Sequence, residues 1–132
     1  MVWGTAVERL YVIPIPFPSV LKEIAQRCAA GETVTFRPTG NSMVPLIHSK
    51  DEVVVAPVDP DRVEVGDIVL TRVSGSVYIH LVKAIDTAKR RVLIGNNRGG
   101  TNGWTGFDRV YGIAVSVAGV ERAGAREKVN GS

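Results

Sequence analysis

Short runs of apolar residues, most of them rich in valine, recur along the chain between clusters of glycine, proline, asparagine and serine. β-Branched residues favour strands, and the residues between the runs favour tight turns. The pattern predicts strands at 33–37, 52–56, 68–73, 77–85, 90–95 and 110–117. One helix is predicted over Lys22–Ala30, with Ser19 as its N-cap and Gly31 as its stop. The chain is therefore expected to have a mainly β fold of small coiled sheets with one short N-terminal helix.

The length of 132 residues indicates a single compact unit. Within it the pattern separates an N-terminal arm with the helix (1–31), a β domain (32–118) and a flexible tail (119–132). Alternating prolines at 14, 16 and 18 fix φ and predict that the arm is extended. Residues 96–106 are rich in glycine and asparagine and predict a polar loop. The polar, glycine-containing tail is expected to fray.

Membrane insertion and cofactor binding are both disfavoured by the sequence. The longest apolar segment, residues 10–18, is interrupted by prolines and is shorter than the roughly 20 residues that span a bilayer. A single cysteine, Cys28, allows no intramolecular disulfide and indicates a cytoplasmic protein. His48 and His80 are far apart in sequence with no Cys/His cluster, so no metal and no other cofactor is expected.

The charge pattern argues against direct nucleic-acid binding. The formal net charge is +3, and the basic residues are spread along the chain. A nucleic-acid surface would show tighter clustering of Lys and Arg, interleaved with aromatic residues. The expected partner is a protein or peptide, and a homodimer is left open.

The segment Gly40-Asn41-Ser42-Met43-Val44-Pro45 is a turn that contains a candidate nucleophile. A serine hydroxyl is a weak nucleophile until a neighbouring base removes its proton. His80 stands 38 residues downstream within a predicted strand, and a neutral imidazole can act as that base near neutral pH. Residues alternate across a strand, so His80 and Lys83 face opposite sides and only one of them can face Ser42. His80 is the preferred candidate.

Five motifs in a fixed order carry a resemblance to a known family. They are Gly40-x-Ser42-Met43-x-Pro45, Val65-Gly66-Asp67-Ile68-Val69, Tyr78-Ile79-His80, Gly95-Asn96-Asn97 and Tyr111-Gly112. Together they resemble the LexA/signal-peptidase clan of serine peptidases over roughly residues 33–117. The resemblance implies a fold of coiled β-sheets, Ser42 as the nucleophile and His80 as the general base, as in the histidine branch of that clan. It also implies that Met43 and Pro45 help to shape the substrate site.

The chain departs from the family pattern where an aspartate would orient the histidine. That position is Asn96, and an amide does not stabilise an imidazolium as a carboxylate does. Asp108 is a candidate substitute. In the loop that follows, Arg98 and Trp104 are candidates for a lip that contacts substrate, because binding residues concentrate on loops held by a rigid scaffold.

Two alternatives stand beside a serine peptidase that cleaves a peptide bond in a protein substrate. The first is a catalytically impaired module that binds an extended peptide by strand addition. The second is a LexA-like self-cleaving repressor-type domain, because Ala30-Gly31 lies upstream of Ser42 and LexA-like proteins cut an Ala-Gly bond. Against the repressor, residues 33–37 are needed as a core strand, and the first 30 residues leave little room for a helix-turn-helix.

Overall fold

The structure, a computed structural model, describes residues 10–12 and 17–130. It contains one α-helix among these residues, α1 (Phe17–Ala29). The strands are β1 (Leu10–Val12), β2 (Val34–Arg37), β3 (Val53–Pro57), β4 (Ile68–Val73), β5 (Ser76–Asp86), β6 (Arg91–Gly95), β7 (Thr101–Gly106), β8 (Val110–Val117) and β9 (Val120–Glu121). The prediction of a mainly β fold with one short helix is confirmed.

The strands form one continuous sheet. Its order is β1-β2-β3-β8-β4-β5-β6-β7, and β9 pairs with β8. The β1–β2 pairing is parallel, and the other pairings are antiparallel. Local register shifts interrupt four of the ladders, and such bulges increase twist and bend a strand. The buried apolar residues form two separate clusters, one on each face of the sheet.

The first face packs against α1. Apolar residues of the helix recur at the spacing of one helical stripe and are buried: Val20, Leu21, Ile24, Ala25 and Cys28. They lie in one cluster with Phe36, with Met43 and Ile47 of the segment before β3, and with alternate residues of β4 and β5. The second face packs mainly against itself, with Val69, Val82 and Phe107 among its members. Ser42 therefore lies in a segment anchored to the first core.

Gly112 on β8 is required by close packing between the helix and the sheet. A Cβ built at this position would clash with Val55 Cγ1 at 2.6 Å and would make a tight contact of 3.2 Å with Cys28 Sγ. Any larger residue would push α1 and β3 away from β8. Cys28 is buried in this contact, and burial, with a contribution from Glu32, raises the pKa of its thiol to about 12. Cys28 is thus a packing residue with a protonated thiol.

Two expectations about irregular segments are corrected. Residues 96–106 were expected to be a loop, but Thr101–Gly106 forms β7 on the edge of the sheet. Its glycines and asparagine have low β propensity, and pairing with β6 overrides that preference.

The segment expected to be a flexible tail (119–132) instead packs on the sheet as far as Asn130. β9 pairs with β8, Ala125 is buried, and Val129 bridges to Val58. Lys128 Nζ lies 2.8 Å from carboxylate oxygens of both Asp67 and Glu64. Burial alone would lower the pKa of Lys128, but the hydrogen bonds from these carboxylates outweigh it and raise the pKa. The polar composition of this segment predicted a flexible tail, but Lys128 forms ion pairs that attach it to the rest of the fold.

The N-terminal segment is only partly described. The helix begins at Phe17, before the predicted cap Ser19, and ends at Ala29, with Gly31 beyond it at φ +96°. Gly31 therefore occupies the left-handed position that commonly ends a helix. The backbone of Leu10–Val12 adds a strand beside β2, so this part of the expected arm is extended. Residues 1–9 and 13–16 of the arm lie outside the described residues.

Candidate active site

The turn that carries Ser42 is fixed from two sides. Below it, Met43 and Ile47 are buried in the core that packs against α1, and the Ile47 N–H donates to the Met43 carbonyl at 3.0 Å. From the loop after β6, the Asn97 N–H donates to the Ser42 carbonyl at 2.9 Å. The Asn97 side-chain amide donates to the Val44 carbonyl at 3.1 Å. Asn97 thus joins the serine turn to the β6–β7 connection, a role that its motif position did not reveal.

Ser42, His80 and Asn102 form a continuous hydrogen-bonded chain. The Ser42 Oγ lies 3.2 Å from His80 Nε2, and His80 Nδ1 lies 2.7 Å from Asn102 Oδ1. An amide oxygen only accepts hydrogen bonds, so Nδ1 must carry the imidazole proton. The lone pair of Nε2 is then directed to the Ser42 hydroxyl, which donates to it. This is the tautomer in which a histidine can act as a base toward a serine.

Asn102 reaches His80 because of a bulge in β7. On β6, Ile94 pairs with Gly103 and Gly95 pairs with Thr101, so Asn102 is the extra residue between two ladder positions. Bulges redirect side chains and are frequent beside functional sites. The sequence offered only a weak signal for Asn102, because it lies in a stretch that resembles a loop.

The two residues proposed from the sequence to orient the histidine do not contact it, which is a correction. Asn96 Oδ1 accepts from the backbone N–H groups of Arg98 and Gly100, at 2.8 and 2.9 Å, and so holds its own turn. Asp108 is exposed in a short 3-10 turn (Phe107–Arg109) that leads into β8. The tertiary structure brings in Asn102 instead, since the β6–β7 hairpin folds its second strand back toward His80.

The environment of His80 favours the neutral imidazole. Burial lowers the pKa of His80 below its usual value, and the hydrogen bond to Asn102 opposes that shift. The imidazole also stacks against the Tyr78 ring, with ring centroids 5.1 Å apart. His80 is therefore held in one orientation and is unprotonated at neutral pH, as a general base requires.

Lys83, the alternative base, takes a different position. It is the extra residue of a bulge in β5, where Val82 pairs with Ile94 and Ala84 with Leu93. Its carbon chain lies against Gly95, where an added Cβ would be 3.0 Å from Lys83 Cε. The alternation predicted along β5 holds over Tyr78–Val82 and breaks at Lys83. Ser42 bonds to His80.

A cavity of about 530 Å³ opens beside Ser42 and His80. Its walls come from α1, the serine turn and the β4–β5 hairpin, including Leu21, Met43, Ile47 and Ile79. Of the residues proposed from the sequence for the substrate site, Met43 lines this cavity. Pro45, Arg98 and Trp104 do not. Trp104 is 41% exposed, and the Arg91 guanidinium lies 4.7 Å above its ring.

Within residues 10–12 and 17–130, no three His, Cys, Asp or Glu side chains are grouped so that they could hold a metal ion. No helix in the described part of the chain is both long and apolar enough to cross a bilayer.

The sequence was also compared with known proteins. Neither the curated proteins nor the solved structures include a match to it. The sequence model of the family described as Peptidase S24-like matches residues 3–102, which is more than half of the chain. The match spans the Ser42 turn and His80 and ends at Asn102, and it confirms the resemblance inferred from the ordered motifs. The chain therefore belongs to the Peptidase S24-like family.

Proposed function

We propose that this protein is a serine peptidase that cleaves a peptide bond in a protein or peptide substrate. Ser42 is the nucleophile, His80 is the general base and Asn102 orients the imidazole. The observation that carries the proposal is the hydrogen-bonded chain from Ser42 Oγ through His80 to Asn102 Oδ1 at the edge of a cavity. Membership of the family supports a peptidase or LexA-like domain.

The proposed reaction proceeds in two stages. His80 Nε2 accepts the Ser42 hydroxyl proton as Oγ attacks the substrate carbonyl, and the imidazolium then donates that proton to the departing amine. A water molecule, activated by the same imidazole, hydrolyses the acyl-enzyme. The tetrahedral oxyanion needs hydrogen-bond donors. The backbone N–H groups of Ser42 and Met43 have no acceptor among the described residues and can fill that role.

A free strand edge supports a peptide as the substrate. β6 pairs with β5 only from Leu81 to Asp86, and in the described chain residues 76–80 pair with β4 alone. Residues 75–80 also line the cavity. An extended peptide added to this edge would make main-chain hydrogen bonds and pass beside His80.

Active-site labelling tests the proposal directly. The protein is incubated with a fluorophosphonate probe at neutral pH, and the modified residue is located by peptide mass spectrometry. We expect a single adduct on Ser42 in the native protein and none in the heat-denatured control. An adduct on another serine, or no adduct between about pH 6 and 9 where His80 is neutral or partly so, would contradict the proposal. In the second case, binding of an extended peptide without labelling would favour the impaired binding module.

The repressor-type alternative has a structural obstacle. Ala30 and Gly31 form the C-terminal cap of α1, where the Ala30 N–H donates to Gln26 and the Gly31 N–H donates to Cys28. A peptide must be extended to enter a protease cleft, and this bond is folded into a helix end. We therefore expect the intact mass of the purified protein to show no cut after Ala30.

Asn102→Asp is expected to change the pH profile of the enzyme. A carboxylate beside Nδ1 favours the imidazolium, so it should raise the pKa of His80. Since His80 must be neutral to act as the base, the acid limb of the labelling rate should lie below pH 6.5 in the wild type and move to higher pH in the variant. Above both limbs, the variant should react at least about tenfold faster, because the carboxylate stabilises the imidazolium that forms.

Asn96→Asp is the matched control, because it introduces the same carboxylate at a side chain that contacts only its own turn. We expect its acid limb to coincide with that of the wild type. If Asn96→Asp shifted the limb and Asn102→Asp did not, the assignment of Asn102 would be wrong.

A further inference from the structure

Arg72 lies in the wall of the cavity and has no role in the proposed chemistry. Alternation along β4 places it on the same face as Ile68 and Leu70, which pack in the core that includes α1. The stem of Arg72 is therefore held by the sheet, and the residue lines the same cavity as Ser42 and His80.

The Nε atoms of Arg72 and Arg91 are the two buried side-chain polar atoms of the described residues without a hydrogen-bond partner, and Arg91 still lies 3.5 Å from Asp86 Oδ2. Arg72 differs because it forms no ion pair with any described side chain. Six other arginines pair with carboxylates, so acceptors are common elsewhere in the fold. Native proteins rarely leave a buried polar group unsatisfied, and the exceptions require an explanation.

The charge of the cavity has one sign. Lys22 of α1 is a second cation in its wall, also without an ion pair among the described residues. No Asp or Glu of the described chain lines the cavity, and most of its remaining wall is apolar or hydroxylic. A guanidinium offers several donors in a planar fork that matches the two oxygens of a carboxylate.

We infer that Arg72 is a specificity-determining residue that binds a carboxylate of an extended peptide substrate. This rests on the proposed peptidase function. Arg72 pairs with Val77, three residues from His80 along β5. At about 3.3 Å per strand residue, the two positions are separated by about 10 Å. A substrate lying along β5 therefore places its acidic residue two to four positions from the bond that Ser42 attacks.

Cleavage profiling tests this inference on the whole protein. A peptide library made from a digested proteome is incubated with wild type and Arg72→Met, and new termini are read by mass spectrometry. We expect wild type to enrich Asp and Glu about tenfold at one position two to four residues from the cut, on one side of it. Arg72→Met should lose this enrichment, and Arg72→Glu should replace it with a preference for Lys and Arg. Arg109→Met removes the same charge from an exposed side chain outside the cavity and should keep the wild-type profile.

A binding experiment separates this inference from the peptidase proposal. Two fluorescein-labelled apolar decapeptides, identical except for one central Glu or Gln, are titrated by anisotropy against Ser42→Ala and against Ser42→Ala/Arg72→Met. We expect the Glu peptide to bind Ser42→Ala about tenfold more tightly and the difference to vanish in the double variant. If the Glu and Gln peptides bind Ser42→Ala equally well, and amidation of their C-termini weakens binding, the carboxylate that Arg72 binds is a chain terminus.

The outcomes distinguish the two proposals. Fluorophosphonate labelling of Ser42 in Arg72→Met at the wild-type rate, with no difference between Glu and Gln peptides, would overturn the Arg72 inference alone. A Glu preference that depends on Arg72, in a protein that no probe labels, would support the carboxylate site and refute the peptidase. The Arg72 inference would also be overturned if neither peptide bound at millimolar concentration and the cleavage profile showed no acidic preference.

Discussion

Replacing His80 by alanine is expected to slow fluorophosphonate labelling of Ser42 by about 10²- to 10⁴-fold, the range that a positioned general base contributes. The imidazole Nε2 is 3.2 Å from Ser42 Oγ and is the group that can accept its proton. Ser42→Ala should show no labelling and sets the floor of the assay. Labelling rates are measured at a pH above 6.5, where His80 is neutral because burial lowers its pKa.

His48→Ala is the matched control for His80→Ala. His48 is the other histidine of the chain, is exposed, and follows the same turn. His48 lines the cavity but makes no hydrogen bond to Ser42, so its replacement should change the labelling rate less than about tenfold. Both variants should melt near the wild-type temperature. Equal losses in the two variants would show that the effect of His80→Ala is not general-base chemistry.

Phe36→Ala is expected to lower the free energy of unfolding by about 3–5 kcal/mol. Phe36 on β2 is fully buried and is one of the largest side chains of the core that packs against α1. Removing its ring loses transfer free energy and leaves a cavity between the sheet and the helix. Such a loss is a large part of the roughly 5–15 kcal/mol that stabilises a domain of this size.

Urea unfolding followed by circular dichroism measures this change. Val120→Ala serves as the control, because Val120 is 68% exposed and should alter the unfolding free energy by less than about 0.5 kcal/mol. A cost below about 1 kcal/mol for Phe36→Ala would mean that β2 is not part of the core. It would also remove the support that this core gives to Met43 and Ile47 beneath Ser42.

Most strands could be predicted from sequence because their signals are local. Valine-rich runs between glycine turns mark β4 and β8, and Ser74-Gly75 marks the tight turn between β4 and β5. The signal for β7 is weak, since Asn102 and Gly103 in its middle have low β propensity and are ordered by pairing with β6. The packing of Lys128 on Asp67 was equally hidden, because the two residues are 61 positions apart.

Part of the candidate site could likewise be proposed from the sequence, and part of it required the structure. Motif order and strand alternation selected Ser42 and His80 and disfavoured Lys83. For the residue that orients His80, the sequence suggests Asn96, from its place in a motif, or Asp108, because it carries a carboxylate. Asn102 reaches His80 through a bulge, and a bulge depends on how two strands pair.

The fold class and the family could be read from the sequence, and Ser42 and His80 could be proposed from it, because residue type, motif order and the two-residue period of strands are local properties. Three-dimensional packing was needed to show which amide hydrogen-bonds to His80, which strand edge is free, and that Arg72 lines a cavity without carboxylates among the described residues. Each of these depends on contacts between residues distant in the chain. Such contacts arise when the folded sheet brings β7, the β4–β5 hairpin and α1 around one serine.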